Sequence, residues 1–245
     1  MEFIDTVQLI DDCLSRIVEF GDANPMAGAI GCRVLNPDLT VQYSCLMYPS
    51  LINLILHASF LPKLFPRSTF FGRESMTWWN YDSIREVEFV KGCFLMVRRE
   101  TVRSIGLLDE RFFVYAEEAD WCYRMKQEGW QILFTPSGEV VHKGAGSTDK
   151  AGLAMIWQLW GSVLTFIRKH HTTAYYFACC GVVSIVFAVR VLPCVGLAII
   201  RHNERSIFLT RATAYAIGSF YVLILGASGL NKLSSTYRGM SAARF

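Results

Sequence analysis

Between Glu117 and His142 the apolar period changes part-way along, and no other stretch limits the fold so much. Trp121, Cys122 and Met125 fall at i, i+1 and i+4 of a segment running from Glu117 to Gln127, the spacing of one helix face, and Gly129 supplies a stop. Trp130 to Phe134 then runs apolar with Trp, Ile and Phe, which predicts a strand. Pro136-Ser137-Gly138 predicts a turn, and Glu139 to His142 a second short strand. A capped helix leading straight into strands is an α/β signature.

The same segment carries the candidate chemistry. Glu117, Glu118 and Asp120 fall in the first helical turn, where free N–H groups favour negative charge. A charged turn that only stabilises its helix is the plain structural reading. Helical geometry puts Glu117 and Asp120 on one face and turns Glu118 about 100° away, so the three are not expected to share one task. Arg111-Phe112-Phe113-Val114-Tyr115 leads into the acids, an aromatic run suited to walling a cleft and keeping water from a general base. His142 closes its strand before Lys143-Gly144-Ala145-Gly146-Ser147-Thr148, where glycines leave room for a metal or a phosphate. A hydrogen-bonded structural histidine is the competing reading.

Taken together these residues resemble family-2 inverting glycosyltransferases of the GT-A (nucleotide-diphospho-sugar transferase) fold, especially the rhamnosyltransferase-like members that build bacterial surface polysaccharides. A Gly-rich apolar strand ending in arginines is matched by residues Gly92-Cys93-Phe94-Leu95-Met96-Val97-Arg98-Arg99. A Gly-Phe-Asp-Glu-Arg-Phe-Phe segment is matched by Leu107-Leu108-Asp109-Glu110-Arg111-Phe112-Phe113. The Glu-Asp-x-Asp catalytic motif is matched by Glu117-Glu118-Ala119-Asp120, and Val-Val-His by Val140-Val141-His142. The resemblance implies a nucleotide-sugar donor, a saccharide acceptor, a divalent cation (Mg2+ or Mn2+) and a carboxylate that deprotonates the acceptor hydroxyl for in-line displacement. It places the base at Glu118, with Glu117 and Asp120 beside it, and a metal ligand at His142. Acceptor contacts are expected from Gly92 and Cys93 and from the Trp78-Trp79 pair, although hydrophobic cover explains those indoles equally well. One departure is that the base position, usually Asp, holds Glu, one methylene longer.

The resemblance covers roughly residues 1 to 170. Val7, Ile10, Leu14, Ile17 and Val18 lie at helical spacing and predict a helix from Asp5, as N-cap, to Phe20. Ala27 to Leu35 reads as a strand, Asn36-Pro37-Asp38 as a turn, and Thr40 to Cys45 as its continuation. Tyr48 to Met76, interrupted by Pro49, Pro62 and Pro66, predicts an irregular loop over the cleft. The family's nucleotide-binding half and its acid-x-acid metal motif have no match here, since Met1 falls about where the family is just past that motif. The expectation is therefore a partial GT-A domain, the acceptor side, over residues 1–150, inactive by itself. A non-catalytic remnant of such an enzyme is the alternative.

After residue 150 the chain turns apolar. Leu153 to Phe166 predicts a helix, and Thr172 to Val189 and Ala212 to Leu230 are uncharged runs of 18 and 19 residues. At 1.5 Å per residue these reach about 27 Å, close to the hydrocarbon thickness of a bilayer. Basic residues flank the two runs on both sides, so charge gives no orientation. Helices lying in the membrane interface explain that symmetry best, with a spanning hairpin and a buried soluble pair as the other readings. A helical membrane-associated region over 151–245 is expected, holding the domain at the cytoplasmic face of the cell membrane near a lipid-linked saccharide acceptor. The net charge of +3 is too mild, and its basic residues too scattered, for a nucleic-acid partner. Eight cysteines without zinc spacing fit reduced thiols.

Overall fold

The computed structural model describes residues 7–143 and 148–242. The chain divides into two compact units, one formed by 1–48, 59–110 and 117–149 and the other by 49–58, 111–116 and 150–245. Two short internal segments thus group with the C-terminal helices.

In chain order the elements begin with β1 (Val7–Ile10), α1 (Cys13–Ala23), β2 (Ala27–Leu35) and β3 (Cys45–Leu46). Next come α2 (Leu51–Ser59), α3 (Leu61–Leu64), β4 (Arg85–Glu86), β5 (Phe89–Val90), β6 (Met96–Val97) and α4 (Arg99–Ile105). The last are α5 (Glu117–Gln127), β7 (Gln131–His142), α6 (Thr148–His170), α7 (Thr173–Ile200) and α8 (Arg205–Ala242).

The first unit is a mixed sheet in the order β1-β7-β2-β6, with β4 also on β7, and a separate β3-β5 pair. Strand β2 is buried along almost its whole length and runs parallel to β7. A strand covered on both faces has no polar alternation, which is why AGAIGCRVL reads as one apolar run. Strand β7 is continuous, yet Cys32 pairs with Thr135 and Arg33 with Glu139. The residues predicted as a turn, Pro136 to Gly138, are therefore a bulge within one strand. Helix α1 packs on that bulge. A Cβ on Gly138 would come within 2.8 Å of Cys13 Sγ and 2.9 Å of Ile17 Cδ1, so only glycine admits the helix there.

The N-terminal helix is shorter than its spacing predicts. Residues 7–10 form β1, antiparallel to β7 with Val7 opposite His142, and the helix begins only at Cys13. Unpaired backbone on the β7 edge supplies a ladder that outweighs the helical period of a short apolar segment. Of the expected face only Ile17 is buried; Leu14 and Val18 are exposed, and Cys13 joins Ile17 in the core instead. Asp5, the expected cap, lies outside the described residues, as does the Gly144–Ser147 stretch. The predicted irregular loop also contains α2, because Pro49 and Pro62 flank the apolar run LINLILHAS rather than interrupt it.

The second unit is built on three long helices. Helices α7 and α8 run as a hairpin joined through His202–Glu204. Ser184 Oγ lies 2.8 Å from Ser219 Oγ, and each hydroxyl reaches the other's carbonyl. Helix α8 breaks at Gly226 (φ 58°), where the Ala227 amide donates to Tyr176 Oη at 2.9 Å; a Cβ on Gly226 would overlap that hydroxyl. Trp157 of α6 donates to the Ala214 carbonyl of α8. Helix α2 joins this unit, its Leu51 amide donating to Tyr175 Oη at 2.7 Å.

Candidate active site

Helix α5 spans the predicted limits, and both ends are explained. Three acids occupy its first turn, Arg124 and Lys126 its last, and Gly129 stops the chain at φ 84°. Ala119, Asp120, Cys122 and Met125 form its buried face. Trp121, expected in the apolar stripe, sits at the margin with its indole N–H on the Gly106 carbonyl at 2.9 Å.

The acids divide differently from the helical-wheel expectation. The neighbouring carboxyls of Glu117 and Glu118 meet within hydrogen-bonding reach, and each keeps one buried oxygen, Oε2, without a partner. Glu118 Oε1 accepts from the Gly92 amide at 3.4 Å. Burial, then the Glu118 charge, pushes Glu117 up to about 7. Burial also raises Glu118, opposed by backbone amides including Gly92 and by the charge of Lys91. Glutamate has two rotatable bonds beyond Cβ, enough to bring adjacent first-turn carboxyls together although their Cα positions diverge. Asp120 goes the other way. Fully buried, it holds Arg124 Nε at 2.9 Å, and Arg124 also donates to the carbonyls of Ile105 and Leu107 at 2.8 Å. Asp120 thus faces Arg124 and, through it, the chain after α4.

Because the Glu117–Glu118 pair retains a proton that the unfolded chain has already lost, its effect on stability has a definite sign. Between the ordinary value of 4.5 and about 7, the folded state binds more protons, so stability falls as pH rises through that window. Glu117→Gln should flatten this fall, read as a smaller drop in urea midpoint between pH 5 and pH 8. An unchanged pH dependence in the variant would mean that the carboxyls are not coupled.

Gly92 and Cys93 lie beside the carboxylates, with burial raising the Cys93 thiol and the Glu118 charge adding to the shift. The tryptophan pair separates. Trp79 is in the core, stacked on Tyr81 at 4.4 Å and edge-on to Phe134 at 4.8 Å, so no sugar ring can reach its face. Trp78 is half-buried and lines a cleft. The aromatic run 111–115 groups with the helical unit, where Phe113 carries the Arg238 guanidinium 4.2 Å above its ring.

His142 ends β7 as predicted. Its Nδ1 lies 2.7 Å from Gln42 Oε1, while Gln42 Nε2 donates to Asn36 Oδ1 at 2.9 Å. An amide oxygen only accepts, so Nδ1 donates to Gln42 and Nε2 is the ring nitrogen left for another partner. Among the described residues, however, no three His, Cys, Asp or Glu side chains converge as a metal site. One oriented imidazole does not fit a hard divalent cation that prefers several oxygens. Gln42 had no signal in the sequence, being 100 residues from the ring it orients.

The mixed sheet with its helices is α/β, and similarity to known proteins supports a family-2 glycosyltransferase-like protein with a GT-A-like domain. Its curated relatives include the N-acetylglucosaminyl-diphospho-decaprenol L-rhamnosyltransferase of Mycobacterium tuberculosis, recorded from strains CDC 1551 and H37Rv. Each is 33% identical over 156 residues, covering 62% of this chain and 46% of the relative. The O-antigen biosynthesis protein RfbC of Myxococcus xanthus is 28% identical over 147 residues, 60% of this chain and 10% of that protein. The chain therefore spans just under half the length of the rhamnosyltransferases it matches. No protein-family model matches it.

Proposed function

We propose that this chain carries the acceptor-side chemistry of an inverting glycosyltransferase in cell-surface polysaccharide synthesis. The observation that carries the reading is the Glu118 carboxylate, held by the Gly92 amide and raised by burial beside Glu117. A raised carboxylate is a stronger base, and burial keeps water from competing for the proton. Glu118 would take the proton of the acceptor hydroxyl as that oxygen bonds to the sugar's anomeric carbon. The bond to the nucleoside diphosphate breaks on the opposite face, which inverts the centre. Glu117, which titrates with Glu118 as a pair, would keep the shared proton off the base oxygen. Rhamnose is the favoured sugar and a polyprenyl-diphosphate saccharide the favoured acceptor, because the relatives at 33% identity are named for those substrates.

No step is routed through a metal, since His142 alone offers no coordination set. A cation would need ligands in addition to His142, and the expected result is that the isolated chain does not transfer sugar. Calorimetric titration with nucleoside diphosphates in Mg2+ or Mn2+ should show no binding tighter than about millimolar, around −4 kcal/mol. Micromolar binding abolished by His142→Ala would mean that a donor site exists among residues assigned here to the acceptor.

The helical unit supports membrane attachment by spanning. Both α7 and α8 are long and apolar enough to cross a bilayer. An interfacial helix needs a charged face toward water, whereas the exposed side of α7 carries Phe177, Ile185, Val189, Leu192, Ile199 and Ile200. Arg190 is its only charged residue and lies over the Tyr215 ring at 5.9 Å. The expressed chain should sediment with membranes and stay there through alkaline carbonate. Release by carbonate would favour interfacial helices, and a soluble chain without detergent would exclude both modes.

A further inference from the structure

A cleft of about 380 Å3 in the first unit has no part in the chemistry above. It lies near the last turn of α5, where Lys126 is eight residues and about 12 Å of helix from Glu118. Trp78, Arg73, Glu86, Glu88 and Lys126 supply its polar and aromatic lining, and Met47, Phe70, Met76 and Val87 its apolar wall.

The charges of this lining cancel. Lys126 Nζ is bound to Glu86 Oε1 at 2.7 Å and also reaches the Val87 carbonyl. Glu88 is largely buried and accepts from the Tyr48 amide; burial raises its carboxyl against the pull of Lys126 and Arg73. Arg73 enters the lining with a buried Nε that has no hydrogen-bond partner in the structure, a donor with a desolvation cost still uncompensated. Arg85 lies 4.9 Å over the Trp78 ring and 5.0 Å over Trp79, fixing the indole in place.

From this lining we infer a binding subsite for an uncharged saccharide unit, distinct from the carboxylate pair. Two carboxylates and two cations around one space offer acceptors and donors together with no net charge, which suits a ring of hydroxyls. A phosphate or carboxylate ligand would meet Glu86 and Glu88 at close range. A pyranose also has an apolar face to lay on an aromatic or thioether wall, and the volume lies in the range of small-ligand pockets. The identity of this saccharide as a more distant part of the acceptor rests on the transferase reading. The presence of the subsite does not.

Tryptophan fluorescence and calorimetry of the full chain in detergent would test it, titrating N,N′-diacetylchitobiose as the neutral probe and glucuronic acid as the charged one. The neutral disaccharide should bind and the acid should not. Trp78→Ala and Glu88→Gln should each weaken binding at least tenfold, while Trp78→Phe, which keeps an aromatic face and guards against a folding defect, should retain most of it. No binding of the neutral probe, preference for the acid, or parental affinity in both Trp78→Ala and Glu88→Gln would overturn the subsite. If binding were lost only in Glu118→Gln, the saccharide would sit at the carboxylate pair. The subsite would then fall while the transferase reading stood.

Discussion

Glu118→Gln should lower sugar transfer by about 10²–10⁴-fold, the usual scale for loss of a general base. Transfer would be measured with the chain joined to the nucleotide-binding half of a related enzyme, so that the donor is held independently of Glu118. The amide keeps the side chain's length and one acceptor oxygen for the Gly92 amide, but cannot take a proton near neutrality. Folding should barely change, because a first-turn carboxylate contributes only about 0.3–1 kcal/mol to its helix. Removing one of two repelling carboxylates relieves part of the pair's cost, so the melting temperature should hold or rise. Near-parental turnover in the Gln variant would take Glu118 out of the mechanism. Glu118→Asp bears on the same point from the other side, since it restores the residue usual in the family but shortens the reach to the acceptor. A faster Asp variant would show that the longer side chain is a compromise.

The features legible in the sequence were those fixed by neighbours along the chain. Helix α5 could be bounded because acids and Gly129 mark its ends, and β2 because a strand buried on both faces is apolar throughout. What was not legible depends on distant partners. VQLI fits a helix or a strand, and the choice is made by the free edge of β7, some 130 residues away. His142 was legible as a residue, but the proton on its Nδ1 is fixed by Gln42, whose own position follows the Asn36–Thr40 turn. The glutamates illustrate a third limit. A wheel projection locates Cα positions, yet the reach of a glutamate is as long as the distance between adjacent faces, so Glu117 and Glu118 meet while Asp120, one carbon shorter and on the inner face, cannot join them. Glu86 and Glu88 did leave a signal, alternating with Val87 so as to share one side of an extended segment.

Asp120→Ala should be the most destabilising change in the helix that carries the carboxylates. Asp120 is fully buried and Arg124 keeps only 22% of its side chain exposed, so removing the carboxylate strands a largely desolvated guanidinium. Breaking a buried pair in this way costs about 3–5 kcal/mol. The exposed part of Arg124 lets water return to it, which brings the expected loss to roughly 2–4 kcal/mol. The loss should spread beyond α5, because the same guanidinium holds the carbonyls of Ile105 and Leu107 where the chain leaves α4. Hydrogen exchange in residues 105–108 should quicken before that of β2. Asp120→Asn keeps an acceptor for Arg124 and should fall between parent and Ala. In the joined enzyme, its turnover below the melting transition should stay within a few-fold of the parent, unlike that of Glu118→Gln. The outcome that would refute this division of roles is an Asn variant that melts like the parent yet has lost turnover by 10²-fold or more, the mark of a carboxylate acting on substrate rather than through Arg124.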